Sequence, residues 1–245
     1  MAYIISLHSR TTGRHKIAQK ARNLAATLLF FIGLAFCAVT SPLLLAQTPL
    51  LPAMESGSAI VFASSMHDSV AFIPHIGAGD FDNYLAMNLP FAPVQNLREQ
   101  LERLLGKTGT TPLKHRGEAH ITVITPPEYA KVLSKVLSMN DVNRIADSLH
   151  IQRAKFDVLC VGRAQIALDG RPEQTYFVVV QSADLLAIRR AVFKRYVERG
   201  GEPSLFDPTH FYPHITIGFS KRDLHEEGDN VRKGQQCCII AVKER

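Results

Sequence analysis

The tetrad His120-Ile121-Thr122-Val123 recurs almost letter for letter as His214-Ile215-Thr216-Ile217, 94 residues further on. Both copies alternate polar and apolar residues, the period of a half-buried strand. Side chains at i and i+2 of a strand share one face. His120 therefore points with Thr122, and His214 with Thr216, while Ile121, Val123, Ile215 and Ile217 turn to the opposite face and fill a core. A single His-x-Thr is weak evidence, because Thr favours strands and a histidine can be a satisfied core or surface residue. Two near-identical copies at this spacing suit one motif in each half of a duplicated domain. Together they offer two imidazoles and two hydroxyls, which serve a reaction needing a general base, a general acid and donors to an anionic centre.

Periodicity places these strands in an α+β chain. Tyr84–Leu89 reads as a strand ending at Pro90. Residues 94–105 read as a helix with Leu97, Leu101, Leu104 and Leu105 as its apolar stripe. The first tetrad strand, about 119–124, stops at Pro126-Pro127. Helices are predicted over 128–137 and over 141–149, the latter capped by Asn140 or Asp141. A long strand, or two broken near Gly162, spans 156–168. Asp169-Gly170 signals a hairpin, and 175–181 is the returning strand. A helix over 183–199 ends at Gly200-Gly201, and the second tetrad strand covers 214–219. A short apolar run within 58–64 predicts an edge strand. The order suggests two similar lobes, each an antiparallel sheet with packed helices, and an active groove between the two sheets.

The N-terminus has a different character. Arg10, Arg14, Lys16, Lys20 and Arg22 precede a stretch from Leu24 to Ala46 that has no charged residue. A basic region followed by an apolar segment reads as a secretory signal cleaved near Ala46, or as an uncleaved membrane anchor with its basic end in the cytoplasm. Both readings put the remainder outside the cytoplasm, secreted or membrane-associated. The formal net charge of +6 belongs mostly to this segment: residues 1–46 carry five basic and no acidic residues, which leaves +1 for the rest. That balance argues against a broad polyanion-binding surface. The expected organisation is a signal or anchor at 1–46, a linker at 47–82, a folded domain at 83–225 and a tail at 226–245. The spacing of Cys37, Cys160, Cys237 and Cys238 fits no zinc site. Cys237 or Cys238 can pair with Cys160 or with another chain. No glycine-rich phosphate loop, metal-binding helix or serine elbow is present, so neither cofactor nor metal is implied.

At these motifs the chain resembles the two-histidine phosphoesterase superfamily, which includes cyclic phosphodiesterases associated with RNA ends and Swiss Army knife RNA-repair-like proteins. The resemblance rests on the first tetrad and on Phe211-Tyr212-Pro213-His214-Ile215-Thr216-Ile217-Gly218-Phe219, and covers about residues 82–225. It implies metal-free hydrolysis of a 2′,3′-cyclic phosphate on a nucleotide or RNA end. His120 and His214 would be the acid–base pair, with Thr122 and Thr216 donating to the phosphate oxygens. Lys114 and Arg116, in a charged loop before the first tetrad, and Tyr212 are candidate substrate contacts. Two other readings stay open: a nucleotide-binding module without catalysis, and a membrane-tethered interaction protein.

Overall fold

A computed structural model describes residues 59–79, 81–106 and 111–245. The expected signal or anchor at 1–46 and the first part of the expected linker lie outside the described residues. Among the described residues no helix is long and apolar enough to cross a membrane.

The tetrads form strands where the alternation predicts them. The elements in chain order are β1 (Ile60–Phe62), β2 (Leu85–Asn88), α1 (Phe91–Leu104), β3 (His120–Ile124), α2 (Pro126–Lys131), α3 (Met139–Ser148), β4 (Asp157–Leu168), β5 (Arg171–Gln181), α4 (Ala183–Glu198), β6 (His214–Phe219), a single turn α5 (Glu226–Asp229), β7 (Cys238–Ile240) and β8 (Val242–Glu244). Six strands make one antiparallel sheet in the order β2-β3-β6-β5-β4-β7. The groove between two separate sheets, expected from the repeat, is replaced by direct pairing. The two tetrad strands are neighbours, with Ile121 opposite Ile215. Each tetrad strand has one apolar face, and pairing side by side lets both faces bury into a single core.

That core lies between the sheet and the helices. Ile121, Val123, Ile215 and Ile217 are buried in it with Leu97, Leu101, Val142 and Ile188. Helix α1 packs against β6, α4 against β3, and α3 against β2 and α4. Helix α1 starts three residues before the predicted Val94, because Pro93 is tolerated in a first turn where its missing N–H has no partner to lose. Its buried apolar residues are Val94, Leu97 and Leu101, while Leu104 is 38% exposed. The predicted helix over 128–137 is shorter. Thr125 and Glu128 form a capping box that starts it at Pro126, and it ends at Lys131, followed by a 3-10 turn. The cap of α3 is Ser138, whose capping-box partner is Asp141.

The Asp169-Gly170 turn is a tight hairpin with both residues at positive φ, 51° and 73°. This twist suits two long strands, and β4 and β5 pair from Asp157↔Gln181 to Leu168↔Arg171. The C-terminal segment also joins the sheet. Strand β7 pairs with β4, and a Cys160–Cys238 disulfide ties the two together, with Cys237 left free. Strands β1 and β8 pair in parallel as a separate two-stranded sheet.

Candidate active site

The register of β3 and β6 arranges the four polar tetrad side chains. With Ile121 opposite Ile215 in an antiparallel pair, His120 stands opposite Thr216 and Thr122 opposite His214, on the face opposite the buried Ile121 and Ile215. Facing residues in such a pair have Cβ atoms about 4.5–5.5 Å apart, and diagonal ones about 7–8 Å. The imidazoles occupy one diagonal and the hydroxyls the other.

The two rings are held differently. His214 Nδ1 lies 2.8 Å from the Tyr212 carbonyl oxygen, so Nδ1 donates and Nε2 keeps its lone pair. The edge of its ring meets Phe177, with centroids 5.6 Å apart. Gly162 on β4 makes room for Phe177, since a Cβ there would lie 2.7 Å from the Phe177 ring. His120 Nδ1 is buried without a hydrogen-bond partner, and the nearby Glu118 carboxylate is 3.6 Å away. Glu118 stands two residues before His120, the spacing that puts both on one face of an extended chain. The sequence alone therefore carries a signal for this residue. On the other side Tyr84 and His75 stack on each other at 4.0 Å, with centroids 5.7 and 6.2 Å from that of His120. His75 belongs to the stretch read as linker, where the sequence gives it no role.

Burial keeps both tetrad histidines uncharged at neutral pH. It pulls His120 down to about 4; Glu118 opposes the shift, while His75 and Arg116 add to it. It pulls His214 to about 3, with the Lys233 ammonium adding to the fall and the Tyr212 hydrogen bond and Asp223 opposing it.

The sequence reading does not identify Asp223, a hub beside the second tetrad. Its Oδ1 accepts from Lys233 Nζ at 2.7 Å. Its Oδ2 lies 3.5 Å from the Thr216 hydroxyl, 3.7 Å from Arg116 and 3.8 Å from His225. Arg116 Nη2 also lies 3.3 Å from His225 Nε2. A narrow cleft is lined by His120, Thr216, Asp223, Arg116, Glu118 and the start of α1. Of the predicted contacts, Arg116 lines this cleft. Lys114 lines a neighbouring groove, and its backbone bonds to Phe219. That close approach leaves no space for a side chain at Gly218, whose Cβ would lie 2.9 Å from Leu113. Tyr212 contributes its carbonyl, while its ring packs edge-on against His210. Among the described residues no three His, Cys, Asp or Glu side chains group as a metal ion would require.

Paired imidazoles and hydroxyls on one sheet face make a candidate acid–base site for an anionic ester. The chain belongs to the Swiss Army Knife 2H phosphoesterase domain family, which matches residues 83–225. Membership implies phosphoesterase activity, hence a hydrolase. No curated protein and no solved structure matches the chain significantly.

Proposed function

We propose that the protein is a metal-independent phosphodiesterase that opens a 2′,3′-cyclic phosphate at the end of a nucleotide or RNA. The observation that carries this reading is the diagonal placement of His120 and His214 across β3 and β6, each facing the other strand's threonine. One uncharged imidazole takes a proton from water as its oxygen bonds to phosphorus. The bond from phosphorus to a ribose oxygen breaks, and that oxygen leaves with a proton from the second imidazole, which is charged. Attack and departure lie on opposite sides of phosphorus, so two separated rings are needed. Thr122 donates to one non-bridging oxygen, Thr216 turns its proton from Asp223 to the other, and Arg116 adds positive charge at the cleft. Burial leaves both rings neutral, so the acid gains its proton as the phosphodiester anion enters, because a nearby negative charge favours the imidazolium. Glu118 beside His120 favours the same charged form.

The reading extends to an extracytoplasmic location, secreted or membrane-tethered. The basic and apolar N-terminal stretch supports it, as does the Cys160–Cys238 disulfide, because such bonds persist in oxidising compartments. Full-length protein incubated with 2′,3′-cyclic nucleotides in EDTA tests the reading. The expected result is release of a single phosphate isomer, with turnover reduced about 10²–10⁴-fold in each of His120→Ala and His214→Ala. Wild-type turnover in either folded variant would reject the paired-histidine chemistry.

A further inference from the structure

The family match ends at residue 225, yet a buried charge beside the second tetrad comes from beyond it. Lys233 is 3% exposed. Its ammonium lies 2.7 Å from Asp223 Oδ1 and 5.8 Å from the centroid of the Phe177 ring, the ring that meets His214 edge-on. Burying an ammonium costs several kcal/mol, and a buried ion pair is often no better for stability than packed apolar groups. A contribution to stability alone is therefore a poor reason to seat a lysine here.

What the pair does supply is order and charge at the second tetrad. With Oδ1 fixed by Lys233, the Asp223 carboxylate holds Oδ2 toward the Thr216 hydroxyl at 3.5 Å and toward Arg116. The charged and titratable groups facing His214 are Lys233 and Asp223 from the C-terminal segment and His120 from β3. His120 has a carboxylate, Glu118, beside it, whereas His214 has a neutral carbonyl on Nδ1 and a fixed cation close by. Burial disfavours the imidazolium at both rings; beyond it, the larger charge effect at His120 is Glu118, which favours that form, and at His214 it is Lys233, which opposes it and is partly offset by Asp223.

We propose that Lys233 is a positioning residue of the second tetrad: it fixes Asp223 against Arg116 and sets a cation behind the Phe177 ring that His214 meets, which adds to burial in favouring the uncharged His214 that accepts a proton. This rests on the reading of His214 as one of the acid–base pair, and it makes His214 the base and His120 the acid. Water then gives its proton to His214 Nε2, and the ribose oxygen leaves with the proton of His120.

The test titrates His214 by NMR, which needs no turnover, and measures the pH profile of kcat/KM on a 2′,3′-cyclic nucleotide. Three variants are compared with the full-length protein: Lys233→Arg, Lys233→Met and Lys233→Gln. Lys233→Gln removes the positive charge while keeping an N–H donor for Asp223. The expected result is that His214 takes up its proton at higher pH in Lys233→Gln, and in Lys233→Met if that variant folds, while Lys233→Arg stays near wild type. The acid limb of kcat/KM should move up with it, costing about tenfold in rate on that limb for each pH unit moved. A folded Lys233→Gln variant with wild-type His214 titration would overturn the proposal and leave Lys233 a packing residue. Absence of phosphodiester turnover in every protein would count against the proposed function, while the NMR titration still decides how Lys233 acts on His214.

Discussion

The Arg189 guanidinium grips the Glu128 carboxylate with two hydrogen bonds, Nη2 to Oε1 at 2.7 Å and Nη1 to Oε2 at 3.1 Å. Arg189 is 1% exposed. It also donates to the carbonyls of Val123, Pro208, Asp207 and His210, and the rings of Phe206 and Phe211 flank it. One side chain thus fastens the end of the first tetrad strand and the cap of α2 to the loop that leads into the second tetrad.

Replacing Arg189 with Met should be severe. The change leaves the half-buried Glu128 carboxylate with only its Thr125 donors and takes the guanidinium from four carbonyls, a loss of about 3–5 kcal/mol. Urea unfolding would read the loss. Turnover measured well below the unfolding midpoint should also fall, because the loop carrying Pro213 and His214 loses its anchor.

Stability should depend on pH through the same histidines that serve the site. In the unfolded chain they titrate near about 6.5; in the folded protein His120 lies at about 4 and His214 at about 3. Between those values the unfolded chain binds protons that the folded one refuses, so stability is full above about pH 6.5 and falls as the pH drops toward 3. The total is on the order of a few kcal/mol. Thermal melts from pH 7.5 to 3.5 should show this decline, and His214→Gln should flatten it. An equal decline in His214→Gln would place the acid sensitivity elsewhere.

Cys238→Ser should lower the melting temperature without abolishing the fold. The disulfide closes a separation of 78 residues, and bonds of this kind contribute about 2–4 kcal/mol. Because Cys238 lies five residues after Lys233, turnover should drop more than the lost stability alone accounts for. Activity measured at 10 °C, where the variant remains folded, separates the two effects.

Local periodicity made much of this fold legible. The second tetrad strand, the Asp169-Gly170 hairpin and helix α4 fall within a residue or so of where alternation, turn chemistry and helical spacing put them. Those signals report which face a side chain occupies; they do not report which strand lies alongside. The neighbouring of β3 and β6 is a long-range pairing whose register follows from burying both apolar faces together, and the repeat was equally compatible with two facing sheets. Candidate site residues on the tetrads and Arg116 were legible because they lie within or next to a patterned strand. Lys233 and Asp223 were not, since each sits in a charged stretch that reads as solvated surface. His75 was hidden for the opposite reason: one ring in a loop gives no hint of the Tyr84 it will stack on.

The pairing of β1 with β8 joins Ile60–Phe62 to Val242–Glu244, and Ser64 and Phe62 exchange backbone bonds with Arg245. The first strand of the described fold therefore cannot pair until Val242–Glu244 have been made. A chain that emerges from its N-terminal side, at about 5–20 residues per second, can form both tetrads long before it can seat Lys233 or close this edge. Synthesis thus delivers both histidines well before the strand that pairs with β1, and a chain stopped between Phe219 and Lys233 would carry both tetrad strands without the buried lysine beside them.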